Sequence, residues 1–115
     1  MTKATLYHNR RCSKSRQALQ LLQAANIDLT IIDYLTTPPD LKTLRSLQKM
    51  LSLPIRDLMR PKEALYKTLA LANTTDEQDL LKAICAHPIL LERPIFIYKD
   101  KAVIGRPPEN VLDIL

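Results

Sequence analysis

The stretch TKATLYHNRRCSKSRQALQLLQAANIDLTIIDY, residues 2–34, decides the fold. Thr2–Tyr7 is apolar and β-branched and stops at the polar run His8–Arg11, which predicts a short first strand. Ser13–Asn26 places Ala18, Leu21, Leu22 and Ala25 at helical spacing, with Arg16, Gln20 and Gln23 between them. Asp28–Tyr34 predicts a second strand. A β-α-β unit of this length calls for parallel strands and a right-handed crossover.

Outward from that unit, Thr36–Pro39 reads as a turn, with Pro39 opening a helix. Leu41, Leu44, Leu47, Gln48 and Leu51 form the inner face of that helix, and Pro54 ends it. Residues 54–87 read as helical. Pro61 starts a segment with Ala64, Leu65, Leu69 and Ala72 on one side. Thr75 or Asp76 caps the next helix, whose inner face carries Leu80, Leu81, Ile84 and Cys85. His87–Pro88 stops it. Ile95–Tyr98 and Ala102–Ile104 predict two strands of a hairpin, joined by Lys99–Asp100–Lys101. Pro108 begins a last helix over Glu109–Leu115. The order β-α-β, helices, β-β-α is that of a thioredoxin/glutaredoxin-like α/β domain. It has a mixed four-stranded sheet flanked by helices and a helical insertion between its halves.

Composition bounds the function. The 115 residues are 46% hydrophobic and 25% charged, as in an ordinary globular chain. One domain over 1–115 is expected, and a domain of this size buries about two-thirds of its unfolded surface without a metal or disulfide staple. Two cysteines and two histidines make a disulfide scaffold or a closed zinc site unexpected, so no metal is assigned. No apolar run approaches the roughly 20 residues of a membrane span. The N-terminal segment lacks an apolar signal region, so a cytoplasmic location is expected. The net charge is +5, but Arg10, Arg11, Lys14 and Arg16 crowd residues 8–16 with no acid among them. Setting those four aside leaves 13 basic residues against 12 acids. A positive excess gathered in one loop, with 4% aromatics, points to a small anion and away from nucleic acid.

Cys12 stands at the centre of that loop, between the first strand and the first helix. Unpartnered N–H groups and the helix dipole favour a thiolate there, and nearby cations lower a thiol pKa further. His8, Arg11, Lys14 and Arg16 are the candidate cations. Ser15, in Cys-x-x-Ser, can donate its hydroxyl to the sulfur, and His8 can donate to or pair with the thiolate. With serine in place of a second cysteine, Cys12 acts as a single nucleophile whose adduct another thiol resolves. Cys85, on an apolar stripe, is expected in the core. Arg60, Arg93 and Arg106 each sit at an element end, where guanidinium forks suit a tetrahedral oxyanion. In a thioredoxin-like fold Arg93–Pro94 faces the cysteine loop, so Pro94 is a cis-proline candidate and Arg93 can reach the anion.

The segments YHNRRCSKSR (7–16), LMRPKE (58–63), HPILLERPIF (87–96), GRPPE (105–109) and VLDIL (111–115) together resemble the glutathione/glutaredoxin-dependent arsenate reductases, the thioredoxin-fold ArsC-like family. The resemblance implies that Cys12 attacks arsenate, with His8 and Ser15 in support and Arg60, Arg93 and Arg106 at the oxyanion; Arg16, from the basic loop, is expected to bind substrate as well. It implies glutathione as co-substrate, glutaredoxin as partner, no tightly bound cofactor, a monomer, and a role in arsenic detoxification. Arg10 departs from the family pattern, which has proline there. Two other readings share the fold: an Spx-type transcriptional regulator that binds RNA polymerase, and a related thiol oxidoreductase without arsenate activity. The regulators carry Cys-x-x-Cys, which Ser15 removes here.

Overall fold

The computed structural model describes residues 4–115. The expected first strand is present as β1, Ala4–His8; Thr2 and Lys3 lie outside the described residues. After it come α1 (Ser13–Ala24), β2 (Leu29–Asp33), α2 (Leu41–Leu51), α3 (Ala64–Thr68), α4 (Glu77–Ala86), β3 (Ile95–Tyr98) and β4 (Lys101–Ile104). Single 3-10 turns occupy Ile55–Leu58, Leu71–Asn73 and Pro88–Leu90, and a longer one runs over Pro108–Ile114. The chain divides into two compact units. One comprises the described part of Met1–Thr37 with Arg93–Leu115; the other is Pro38–Glu92.

The first unit holds the sheet, in the order β2-β1-β3-β4. β1 and β2 run parallel, pairing Ala4 with Leu29 through His8 with Asp33. β3 is antiparallel to both β1 and β4. The mixed four-stranded sheet expected from the element order is therefore present. Its core joins Ala4, Leu6, Ala18, Leu22, Phe96 and Val111, drawn from two strands, α1 and the C-terminal 3-10 turn. This packing fixes the N-terminus of α1 against the end of β1.

Several boundaries differ from expectation. The first helix ends at Ala24, not Asn26, because Asn26 takes a left-handed φ of 58° and leaves Ala25 exposed. The last helix is a 3-10 turn that includes Pro108. β4 begins at Lys101, one residue early, because Lys99 at φ 57° closes the hairpin with only Lys99 and Asp100 in the loop.

In the second unit, α2 is opened by Asp40, not Pro39: the Asp40 carboxylate accepts the Thr43 N–H at 2.8 Å. It ends at Ser52 in the left-handed region, ahead of Pro54. Asp76, rather than Thr75, caps α4 through the Gln78 N–H. Leu80, Leu81 and Ile84 are buried as expected, whereas Cys85 is only half-buried. The segment expected to begin at Pro61 is the five-residue α3, starting at Ala64. Its expected face does not exist. Ala64, Leu69 and Ala72 are exposed and Tyr66 and Leu71 are buried, because Ala70 at φ 53° breaks the helical repeat. Arg56 holds this broken stretch by donating to the Tyr66 hydroxyl, the Leu71 carbonyl and the Thr74 carbonyl. No helix among the described residues is long and apolar enough to cross a membrane.

Candidate functional site

Cys12 is the N-cap residue of α1, with extended backbone at φ −92° and ψ 123°. Its N–H donates to the Asn9 carbonyl at 3.0 Å, and its carbonyl accepts the Arg16 N–H at 3.0 Å. The loop is thereby closed before the helix starts, and the sulfur faces the first unpartnered N–H groups. Burial alone raises the thiol pKa. The Ser15 N–H, the Arg93 guanidinium, the Arg106 charge and the Lys14 N–H outweigh it and hold Cys12 below the ordinary cysteine value.

The two guanidinium groups come from the far end of the chain. Arg106 Nη2 lies 3.5 Å from Cys12 Sγ, and its Nε donates to the Arg93 carbonyl at 2.8 Å. Arg93 is 8% exposed, which is unusual for arginine. The Arg93–Pro94 and Arg106–Pro107 peptides are both cis. The segments carrying the arginines are stitched together by the Gly105 N–H, which donates to the Pro94 carbonyl at 2.8 Å. A Cβ on Gly105 would meet Pro94 Cγ at 2.7 Å and Val111 Cγ1 at 3.1 Å. The single glycine of the chain thus stands where the two arginine-bearing segments touch.

His8 and Ser15 form a buried pair beneath the loop. His8 Nδ1 and Ser15 Oγ are 2.6 Å apart, and Oγ also accepts the Asn9 N–H at 3.0 Å. Ser15 is 0% and His8 7% exposed. Burial pulls the His8 pKa below its ordinary value; the Asp33 charge opposes this and the Arg16 charge adds to it. The expected contacts are therefore rearranged. Ser15 reaches the sulfur through its backbone N–H, and its hydroxyl meets His8. The buried His8 meets the Ser15 hydroxyl beneath the loop, not the sulfur.

The basic run is also reassigned. The cations that lower the Cys12 pKa are Arg93 and Arg106; Arg11, the Lys14 side chain and Arg16 are not among its causes. Arg16 is exposed, and its Nη1 donates to the Arg10 carbonyl at 2.9 Å, so it braces the loop. Arg60 lies in the second unit. Its Nε meets Glu63 at 3.2 Å and its Nη1 meets Glu92 at 2.8 Å, and all three side chains are half-buried. The Cys85 thiol is raised, by burial and then by the Asp40 charge. Sequence reasoning passed over Asn9, Asp33, Gly105 and the two Arg60 carboxylates. Of these, Gly105 had a signal, as the only glycine present. Among the described residues, no group of three His, Cys, Asp or Glu is placed to hold a metal ion.

A thiolate-stabilising helix start with two converging guanidinium groups can present a nucleophile to a tetrahedral oxyanion. A profile of the ArsC family matches residues 7–114. The chain is 49% identical to an uncharacterized protein, YfgD, of Escherichia coli, over 100% of this chain and 99% of that one. It is 47% identical to an arsenate reductase of Neisseria meningitidis serogroup B, with both chains covered in full. Among solved structures, an arsenate reductase from Vibrio cholerae superposes with a TM-score of 0.96 at 43% identity, covering 99% of this chain and 98% of that one. The thioredoxin-like arrangement expected from the element order is the one these proteins share.

Proposed function

The chain belongs to the ArsC family, and on that premise we propose that it reduces arsenate to arsenite with Cys12 as nucleophile. The observation that carries this reading is the convergence of Arg93 and Arg106 on a sulfur whose pKa is lowered at a helix start. The Cys12 thiolate attacks As(V), an As–O bond breaks, and the departing hydroxide takes a proton and leaves as water. Arsenic is still As(V) in this thiol-arsenate ester. The guanidinium groups and α1 N–H groups stabilise the negative oxygens as the bond forms. His8, Ser15 and Asn9 keep the loop in the geometry that aims the sulfur.

Reduction needs two electrons, and they come from thiols. Glutathione attacks the adduct, a glutaredoxin thiol completes the step, two sulfurs become a disulfide, and arsenite leaves with Cys12 regenerated. No tightly bound cofactor takes part, and the chain works as a monomer in the reducing cytoplasm. Two free cysteines suit that compartment.

The test is arsenate-dependent oxidation of glutathione in the presence of glutaredoxin. Turnover is expected in the intact protein, falling at least about a thousandfold in Cys12→Ser, as for loss of a nucleophile. Absence of turnover in the intact protein, or turnover that survives Cys12→Ser, overturns the reading.

A further inference from the structure

The reductant needs a seat beside Cys12, and the first unit offers a cavity that the arsenate step leaves unused. It has a volume of about 210 Å³ and is lined by Asn9, Arg10, Arg11, Asp33, Leu35 and Thr36. It opens where the parallel strands end, since His8 closes β1 and its register partner Asp33 closes β2. Ligands of α/β folds gather at the carboxyl ends of such strands. Arg11 immediately precedes Cys12, so their Cα atoms are about 3.8 Å apart.

The rim is ordered by its own hydrogen bonds. Asn9 Oδ1 accepts the Arg11 N–H at 3.0 Å, Arg16 ties down the Arg10 carbonyl, and Asp33 Oδ1 accepts the Leu35 N–H at 3.1 Å. Asp33 is kept ionised. The Thr36 hydroxyl most of all, then the Leu35 and Thr36 N–H groups and the Arg10 charge, hold its carboxyl below the ordinary value against the opposing effect of burial.

Two arginines and one aspartate line this single concavity, and the Arg10 charge acts on Asp33; a simple oxyanion would be repelled by the Asp33 carboxylate. The three residues complement a zwitterion, with a carboxylate on an arginine and an ammonium on Asp33. The volume is below the roughly 300 Å³ at which pockets engulf a whole drug-sized ligand, so one end of a molecule fits. Resting on the arsenate-reductase reading, we infer that this cavity binds the α-amino-acid end of the γ-glutamyl arm of glutathione. Arg10 and Arg11 receive the α-carboxylate, Asp33 receives the α-ammonium, and the cysteinyl thiol is left toward Cys12.

The experiment uses S-methylglutathione, which cannot react, titrated into the full-length protein and followed by amide NMR shifts. Shifts centred on Asn9–Arg11 and Asp33–Thr36 are expected. Asp33→Asn and Arg10→Gln each weaken binding about threefold to fivefold, the scale of an exposed ion pair. The analogue lacking the α-amino group binds more weakly to the intact protein and is indifferent to Asp33→Asn, which a merely structural role for Asp33 would not produce. No binding, shifts centred elsewhere, or equal sensitivity of both ligands to Asp33→Asn overturns the inference. Arsenate protection of Cys12 against alkylation, measured on the intact protein, separately tests the underlying reading. If protection is absent, that reading fails, while the titration still decides what the cavity binds.

Discussion

Cys12 and Cys85 are the same side chain in opposite settings. Cys12 caps a helix start beside two guanidinium groups, and its thiol is lowered despite burial. Cys85 sits on the body of α4, with no unpartnered N–H groups to face, and burial and the Asp40 charge raise it. Burial acts in the same direction at both. Hydrogen-bond donors and cations therefore decide reactivity, and a half-buried cysteine without them is a packing residue.

The comparison can be broken in descending steps. Removing the Cys12 thiol abolishes turnover, as set out above, whereas Cys85→Ala leaves kcat/KM within about twofold, because Cys85 touches no reacting atom. A large loss in Cys85→Ala, read by the same coupled assay, would erase the distinction. Arg106→Gln takes away a guanidinium that lies against the sulfur. It is expected to lower kcat/KM by about 10²–10³-fold, the scale of one lost oxyanion donor, and to move the Cys12 alkylation profile to higher pH.

Gly105→Ala tests whether the two arginine-bearing segments must touch. Its Cβ would overlap the Pro94 ring, which cannot swing aside as a flexible chain end would. A destabilisation of about 1–3 kcal/mol by denaturant unfolding is expected, as for overpacking, with a rise in the Cys12 pKa as Arg93 and Arg106 shift.

The subtlest consequence is the sign of pH dependence. Cys12 has a depressed folded pKa, so its ionisation contributes stability that is present above the unfolded value of about 8.5. That contribution is lost as pH falls through the folded value. Cys85 has a raised folded pKa, so above about 8.5 the unfolded chain ionises first and stability falls. As pH rises toward about 8.5, intact protein therefore gains stability relative to Cys12→Ser, and above about 8.5 it loses stability relative to Cys85→Ala. Matching slopes in the two variants' unfolding curves would contradict the opposed settings.

Much of this was legible from local pattern. The strand–turn–helix of residues 4–24 announces itself through β-branching, a polar break and helical spacing, and it places Cys12 at the helix start. The hairpin over 95–104 is equally local. The insertion resisted because left-handed turns at Ser52 and Ala70 cut its helices, and neither residue type signals such a turn. At the site, the residues were legible but their partners were not. Sequence neighbours made Arg11, Lys14 and Arg16 the obvious cations, yet the guanidinium contact on Cys12 spans 94 residues. A side chain on the first turn of a helix can point away from the residue beside it, while the sheet order brings the end of β4 to the end of β1 only through β3. Arg60, selected for its place at an element end, is embedded with Glu63 and Glu92, and Glu92 is 32 residues away in sequence.

The central claim is that Arg93, Arg106 and the helix start hold the Cys12 thiol below its ordinary pKa despite burial. The direct measurement is the alkylation rate of Cys12 against pH, in a Cys85→Ala background so that one thiol reports. The account predicts an inflection clearly below about 8.5, the unperturbed thiol value, that moves upward in Arg106→Gln. An inflection at about 8.5 in the protein with both arginines intact would contradict it.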